Sequence, residues 1–128
     1  MRRALLKLVL TGLLFSALLV GVSSAKDSQQ GFSGPWIALN ALPPQGQSTY
    51  RLILQGGPFP FEKDGVVFGN RERLLPGEKR GYYREYTVKT PGSSNRGIRR
   101  IVCGGAATSP DACYYSDDHY SSFKRIVP

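Results

Sequence analysis

The sequence predicts an α+β domain, in which one main helix packs on an antiparallel β-sheet. In residues 47–55 the apolar side chains of Tyr50, Ile53 and Leu54 lie three and four positions apart, as on one face of a helix. Gly56-Gly57-Pro58 ends this segment. The rest of the chain alternates short apolar runs with Gly, Pro, Asn and Asp, which is typical of strands and turns. One helix followed by several strands indicates the α+β class, with the sheet face away from the helix open for a ligand.

The first 25 residues have the features of a secretory signal. A basic start precedes an apolar run from Leu8 to Val22, and the small residues Ser23-Ser24-Ala25 follow it. The run has about 15 residues, whereas a membrane span needs about 20, so a cleaved signal is favoured over an anchor. We therefore expect a protein secreted to the periplasm or the medium, without a membrane partner once the signal is removed.

Behind the predicted signal, residues 26–37 are expected to form a loose N-terminal arm. No repeat or linker divides residues 38–128, which predict one domain with one modest core. Of the 17 basic residues in the chain, three lie in the signal, whereas all nine acidic residues lie behind it. The remainder therefore has 14 basic and nine acidic residues, a net charge of +5. Such a surface favours a polyanion as partner, namely a nucleic acid, an anionic lipid or an acidic protein, although the lack of a basic amphipathic helix pattern weakens the lipid option. The ordinary interpretation is a soluble basic surface.

The strand pattern places particular residues on opposite faces of the predicted sheet. In the strand within residues 82–92, Tyr86 and Val88 face the core, because successive side chains alternate between the two faces. The opposite face then carries Tyr83, Glu85 and Thr87. Further strands are predicted in residues 96–103, 113–116 and 122–127.

Cys103 and Cys113 are the only cysteines in the chain. Outside the cytoplasm, a single pair is most simply a disulfide. We expect it to join the end of one strand to the start of the next, with a contribution of about 2–3 kcal/mol to stability. The alternative, a metal-binding pair, lacks obvious further ligands, because the chain has one histidine and no second cysteine pair.

Four side chains together provide the groups needed to cleave RNA without a metal. Arg96 and Arg100 lie four residues apart, so a regular strand would place both on one face, with Glu85 or a phosphate between them. The carboxylate would take the proton of the ribose 2′-hydroxyl, and the arginines would stabilise charge on the phosphoryl oxygens. His119, in "SDDHY", would protonate the departing 5′-oxygen. Each residue also has an ordinary interpretation, as a solvated strand face, an exposed carboxylate or a surface histidine.

Five longer stretches favour the catalytic interpretation: "ALPP", "GPFPFEKDGVVFGNRE", "GYYREYTVKTPG", "RGIRRI" and "YYSDDHY". Through them the chain, from about Ala38 to Ile126, closely resembles the small secreted microbial guanyl-specific ribonucleases, the group that includes barnase and its streptomycete relatives. The resemblance implies the microbial ribonuclease fold and cleavage of single-stranded RNA on the 3′ side of guanosine. It also implies a 2′,3′-cyclic phosphate as first product, later hydrolysed, and a reaction without cofactor or metal.

The resemblance assigns a role to each of the four side chains and to one more. Glu85 matches the general base of the family, and His119 matches its general acid. Arg96 and Arg100 match the arginines that bind phosphate and stabilise the transition state. Tyr120 matches a tyrosine that contacts phosphate.

The stretch "FGNRE" matches the guanine-recognition loop of the family, with the residues Phe68, Gly69, Asn70, Arg71 and Glu72. One carboxylate, Glu72, can accept both the N1–H and the exocyclic amine of guanine, while backbone N–H groups around Asn70 and Arg71 donate to O6. Phe68 either stacks on the base or packs in the core, and Asn70 either contacts the base or shapes the turn. Gly69 stands where close relatives have a larger polar residue, which we expect to weaken base contacts slightly. The alternative for the loop is a Gly-Asn turn beside a surface ion pair.

The resemblance also implies a protein partner, and three other functions remain as alternatives. A small acidic intracellular inhibitor of the barstar type is implied, and we expect a monomer. Streptomycete members often join the N-terminal region to the C-terminus by a disulfide, whereas here Ala38 occupies the first position and Cys103–Cys113 replaces that bond. The rivals are a non-catalytic basic RNA-binding module on the same fold, a secreted antibacterial toxin that uses the same activity, and a structural secreted protein.

Overall fold

The computed structural model describes residues 31–128. The predicted signal and the start of the predicted arm, through residue 30, lie outside the described residues. No helix of residues 31–128 is long and apolar enough to cross a membrane. The elements in chain order are β1 (Trp36–Ala38), a 3-10 turn (Leu39–Ala41), α1 (Pro44–Gln55), β2 (Val66–Val67), β3 (Tyr83–Thr87), β4 (Arg100–Gly105), β5 (Pro110–Ser116) and β6 (Lys124–Val127). The predicted α+β class is confirmed.

Helix α1 begins three residues before the predicted start. Pro44 occupies its first turn, where a missing backbone N–H costs nothing and the fixed φ of proline suits the helix. The predicted end is confirmed, since Gly56 adopts a left-handed conformation with φ of 81° and its N–H bonds back to the Ile53 carbonyl.

The apolar face predicted for α1 is only partly the buried one. Tyr50 and Ile53 are buried, whereas Leu54, placed on the same face by its spacing, is 43% exposed. The buried positions are Gly46, Thr49, Tyr50 and Ile53, which follow the i, i+3, i+4, i+7 spacing of a helical face. Leu54 lies at the flank of that face because this stripe is centred nearer to Thr49.

The six strands form one sheet in the order β1-β6-β5-β4-β3-β2. Every neighbouring pair is antiparallel except β1 and β6, which are parallel, so the sheet is mixed. Strand β1 contains Trp36 and Ile37, which the sequence pattern assigned to the loose arm. Trp36 lies opposite Arg125, about 90 residues further along the chain. A pairing at that separation leaves no local pattern by which β1 could have been predicted.

Apolar side chains pack on both faces of the sheet. On the helix side, Tyr86 and Val88 join the main core, which confirms the predicted alternation of β3. On the opposite side, Tyr83 belongs to a second cluster, whose buried members are Leu75, Tyr83, Val102, Tyr114 and Phe123. The face away from the helix is therefore largely covered, and the expectation of an open face holds only beside this cluster, around Glu85.

The predicted disulfide between Cys103 and Cys113 is confirmed. The two cysteines lie directly opposite each other on β4 and β5 and are buried in the helix-side core. The strands continue beyond them to Gly105 and Pro110. The bond therefore lies within the ladder, and the expectation that it joins strand ends was wrong.

Replacement of Cys103 and Cys113 by alanine is expected to lower the free energy of unfolding by about 2–3 kcal/mol, because an open chain gains conformational entropy when it unfolds. Urea unfolding of the oxidised protein and of the double variant measures the difference. The wild-type protein under reducing conditions is the control and should resemble the variant. A difference smaller than about 1 kcal/mol would contradict this account of the bond.

Candidate functional site

The carboxylate of Glu85, on β3, connects the charged side chains of the site. Its Oε1 accepts a hydrogen bond from Arg96 Nη2 at 3.3 Å, and its Oε2 accepts one from Tyr120 Oη at 2.8 Å. The Tyr120 hydroxyl in turn accepts a hydrogen bond from Arg100 Nε at 3.1 Å. The Glu85 side chain is 13% exposed, so most of its solvation comes from these groups. Four of the five residues to which the resemblance assigned catalytic roles are therefore linked in one hydrogen-bond network, with Arg100 joined to Glu85 through Tyr120.

The two arginines of the site lie on different kinds of backbone. Arg100 begins β4 and is only 3% exposed. Arg96 precedes the strand, so the prediction of one regular strand through both residues was wrong. Arg100 Nη1 donates to the carbonyls of Arg99 and Arg96, at 2.8 and 3.4 Å, which shows that residues 96–99 wrap around its guanidinium. This loop brings Arg96 to Glu85, whereas Arg100 lies on the same face of the sheet through its place on β4, opposite Thr87, and is linked to Glu85 by the Tyr120 hydroxyl.

Two residues that the sequence analysis did not assign to the site hold Arg96 and β3 in place. Thr87, which is buried, accepts a hydrogen bond from Arg96 Nε at 3.0 Å through its side-chain oxygen. The backbone N–H of Thr87 donates to Asp64 Oδ1 at 2.7 Å. The alternation of β3 had placed Thr87 on the face of Glu85, and that was the available signal. Nothing local indicated Asp64, because its partner lies 23 residues away.

His119 and Tyr120 lie in a turn between β5 and β6. Their φ angles are 54° and 70°, in the left-handed region that residues other than glycine rarely occupy. The imidazole and phenol rings are neighbours, with centroids 4.9 Å apart. His119 is exposed, whereas Tyr120 is half-buried beside Glu85. Burial, together with the hydrogen bond and charge of Glu85, raises the pKa of Tyr120 to about 12, so its hydroxyl remains a donor at neutral pH.

A cleft of about 660 Å³ joins this turn to the predicted guanine loop. The lining consists of the five loop residues and of five others, namely Leu74, His119, Tyr120, Ser121 and Phe123. A second depression, of about 530 Å³, is lined by residues 95–98 and again by His119. His119 thus lies between two concave surfaces. No pattern in the sequence indicated Leu74, Ser121 and Phe123 as lining residues, because only the folded chain brings them to the cleft.

Asn70 shapes the loop through its side chain. Its φ is 49°, its Nδ2 donates to the Leu75 carbonyl at 2.9 Å, and its Oδ1 accepts from the Leu75 N–H at 3.2 Å. Its Nδ2 also approaches the Pro76 carbonyl at 3.4 Å. Of the two roles expected for Asn70, the structure contains the shaping of the turn. The Asn70 Nδ2 cannot donate to a nucleobase without giving up one of these bonds.

The other loop residues are arranged around this turn. Phe68 is half-buried, with its ring 5.1 Å from that of Tyr120 and 5.9 Å from that of Phe123, so it packs on the second cluster and lines the cleft at once. Glu72 is exposed, and within residues 31–128 the only ion pair is Arg96–Glu85, so the loop contains no ion pair of its own. A Cβ atom at Gly69 would meet no atom closer than Arg71 Cγ, at 3.7 Å, which leaves room for a larger side chain.

Comparison with known proteins shows the family to which this chain belongs. A family model described as ribonuclease matches residues 24–127. The chain belongs to the ribonuclease family. Guanyl-specific ribonuclease Sa of Kitasatospora aureofaciens is 53% identical over 90 residues, which are 70% of this chain and 91% of that protein. Guanyl-specific ribonuclease St of Saccharopolyspora erythraea is 49% identical over 91 residues, 71% of this chain and 86% of that one.

A solved structure extends the likeness of this ribonuclease to three dimensions. A crystal structure of ribonuclease Sa2 with guanosine-2′-cyclophosphate superposes with a TM-score of 0.68 at 47% identity. The matched part covers 74% of this chain and 98% of the other. The family resemblance and the microbial ribonuclease fold are both confirmed, and the chain is an enzyme of the ribonuclease class. Within residues 31–128, no three side chains of His, Cys, Asp or Glu come together as a metal-binding group.

Replacement of Asn70 by alanine is expected to lower the free energy of unfolding by about 1–3 kcal/mol, because it leaves the Leu75 backbone unpaired and places alanine at a positive φ. Urea unfolding measures the change. The control is Asn40→Ala, at an exposed position whose side chain makes no hydrogen bond in the described part of the chain, and it should stay within about 0.5 kcal/mol of wild type. Equal effects of the two replacements would contradict the role of Asn70.

Proposed function

We propose that this ribonuclease is a guanyl-preferring endoribonuclease, which cleaves single-stranded RNA on the 3′ side of guanosine. One observation carries the proposal: the cleft lined by the loop of residues 68–72 opens onto the turn with His119 and Tyr120, and Tyr120 is bonded to Glu85. The loop proposed to recognise guanine, the proposed general acid His119 and the proposed general base Glu85 thus lie in one site. Both relatives described above are named guanyl-specific ribonucleases, which supports the same specificity here.

In the first step Glu85 acts as general base. It takes the proton of the ribose 2′-hydroxyl, and the 2′-oxygen forms a bond to the adjacent phosphorus. The guanidiniums of Arg96 and Arg100 and the hydroxyl of Tyr120 donate to the phosphoryl oxygens, where negative charge increases in the transition state. Arg96 and Tyr120 already bond to Glu85, and Arg100 bonds to Tyr120, so a phosphate placed beside them finds its donors in position.

His119 completes the step as general acid. It gives its proton to the 5′-oxygen as the P–O5′ bond breaks, which leaves a 2′,3′-cyclic phosphate. Its exposed position between the two concave surfaces suits a residue that protonates a departing nucleoside. In the second step the roles reverse: His119 takes a proton from water, the water oxygen bonds to phosphorus, and Glu85 returns a proton to the 2′-oxygen as the P–O2′ bond breaks. The product is a 3′-phosphate.

Guanine would be read by the loop of residues 68–72. The exposed carboxylate of Glu72 accepts N1–H and the exocyclic amine, and backbone N–H groups around Asn70 and Arg71 donate to O6. Adenine lacks both features: it has no pair of donors to face Glu72 and no acceptor at the position of the guanine O6. Phe68 supplies an aromatic wall on which the base can stack.

Secretion, an inhibitor and a monomeric state belong to the same proposal. The signal pattern of residues 1–25 supports export of the enzyme, to the periplasm or the medium. A net charge of +5 behind that signal favours an acidic inhibitor of the barstar type, which would protect the producing cell. A toxin directed at other cells would use the identical reaction. The alternative is an RNA-binding module without catalysis. Cleavage of GpC by the purified protein would exclude it, and a folded protein that does not cleave would support it.

Glu85→Gln and His119→Ala are each expected to lower kcat for the dinucleotide GpC by about 100-fold or more, because each removes one partner of the proton transfers. Stopped-flow or absorbance assays at neutral pH, with a metal chelator present, measure the loss. Glu62→Gln, at an exposed carboxylate outside the cleft, is the control and should retain wild-type activity. Full turnover by either site variant would refute the assigned roles.

Glu72→Gln is expected to lower kcat/KM for GpC by about 10- to 100-fold and to leave the slow cleavage of ApC nearly unchanged, because Gln keeps one acceptor oxygen but turns an N–H₂ group toward the second guanine donor. The assay compares GpC, ApC, UpC and CpC. Glu78→Gln, an exposed carboxylate that does not line the cleft, serves as the matched control. Equal cleavage of all four dinucleotides by the wild-type enzyme would remove the specificity claim and keep the mechanism.

A further inference from the structure

The turn that carries His119 and Tyr120 requires contacts that hold it in place. Two consecutive residues other than glycine have positive φ, which costs free energy unless the surroundings compensate. The N–H of His119 donates to the Ile98 carbonyl at 3.1 Å, and the N–H of Tyr120 donates to the Ser116 hydroxyl oxygen at 3.0 Å. A change in this turn would displace the imidazole and the phenol together.

The Ser116 hydroxyl is oriented by Asp118. Ser116 is 1% exposed, and its hydroxyl donates to Asp118 Oδ1 at 2.8 Å. A hydroxyl has one proton to donate and two lone pairs to accept with. Because the proton is directed at Asp118, a lone pair remains directed at the N–H of Tyr120. Without that carboxylate the hydroxyl is free to rotate, and the bond that fixes Tyr120 weakens.

The same carboxylate holds the other end of the turn. Asp118 Oδ1 also accepts from the backbone N–H of Ser122 at 2.9 Å, and Oδ2 accepts from the Ser122 hydroxyl. Burial opposes the charged form of Asp118, but the hydrogen bonds from Ser122 and Ser116 outweigh it and hold the pKa of Asp118 below its ordinary value. Asp118 therefore ties residue 116 to residue 122 across the strained pair.

Asp117 separates the effect of charge from the effect of these bonds. It lies two residues from His119, carries the same charge as Asp118, and is exposed. None of the hydrogen bonds within residues 31–128 uses its side chain. If the negative charge near His119 were what supports its catalytic role, removal of either aspartate would lower the activity.

We propose that Asp118 is a positioning residue, which acts through Ser116 and Ser122 to hold His119 and Tyr120 in their left-handed turn. The effect is one of hydrogen-bond geometry, since an uncharged acceptor in the same place would serve. The catalytic consequence rests on the proposed function, because it assumes that His119 protonates the leaving group and that Tyr120 contacts the phosphate.

The test compares Asp118→Ala, Asp118→Asn and Asp117→Ala in the chain without the predicted signal, residues 26–128, with folding verified by circular dichroism. Asp118→Ala is expected to lower kcat for GpC by about 10- to 100-fold, with KM changed less than about threefold, because a misplaced acid slows the chemical step more than binding. Asp118→Asn keeps an acceptor for Ser116 and Ser122 and should recover most of the rate. Asp117→Ala should remain within about twofold of wild type.

A second substrate distinguishes positioning from a general loss of folded enzyme. A guanosine 3′-phosphodiester with a nitrophenyl leaving group needs no proton from His119, so Asp118→Ala should lose clearly less activity on it than on GpC. A loss of equal size on both substrates would overturn the proposal. So would wild-type activity in Asp118→Ala, an equal loss in Asp117→Ala, or no recovery in Asp118→Asn.

Hydrogen exchange gives a readout that does not depend on catalysis. The amide of Tyr120 should be protected in the wild-type protein and in Asp118→Asn, and it should exchange faster in Asp118→Ala, while Asp117→Ala behaves as wild type. If the wild-type enzyme failed to cleave GpC, the proposed function would fall, and this exchange experiment would still decide whether Asp118 holds the turn. Unchanged protection in Asp118→Ala would overturn the proposal.

Discussion

The positive charges of this site depend on the carboxylate of Glu85. Arg100 is almost completely buried, and a buried guanidinium is stable only beside compensating charge and acceptors. Carbonyls of residues 96 and 99 and the Tyr120 hydroxyl supply the acceptors, and Glu85 supplies the charge through Tyr120. A substrate phosphate offers the same donors an alternative anion. Its arrival would release Glu85 from these bonds and leave it able to accept a proton.

The fold keeps this arrangement rigid while leaving it accessible. Glu85 lies in the interior of β3, whose backbone is fixed by Gly65 N–H to the Glu85 carbonyl at 2.7 Å and by Thr49 of α1 to the Thr87 carbonyl at 3.1 Å. The disulfide and the helix-side core lie on the opposite face of the sheet. The helix-side core and the disulfide thus support the sheet from the face away from the cleft, and the residues in strained backbone conformations, such as Asn70, His119 and Tyr120, lie around the cleft.

Short-range patterns predicted the parts of this structure that local forces determine. The alternation of β3 correctly separated Tyr86 and Val88 from Tyr83, and the glycines after Gln55 correctly ended α1. Strand β1 could not be predicted, because it exists only through pairing with a strand at the other end of the domain. The site was predicted by family resemblance, since a loop and not a strand brings Arg96 to Glu85, and spacing cannot reveal a loop's path.

The measurement that tests the central claim most directly is phosphorus NMR of GpC during cleavage by the wild-type enzyme in the presence of a chelator. If a 2′-hydroxyl activated by Glu85 attacks phosphorus, the resonance of guanosine 2′,3′-cyclic phosphate appears first and that of the 3′-phosphate follows at its expense. A dinucleotide with 2′-deoxyguanosine should remain intact. Direct formation of a 3′- or 5′-phosphate without the cyclic species, or cleavage of the deoxy compound, would contradict the account.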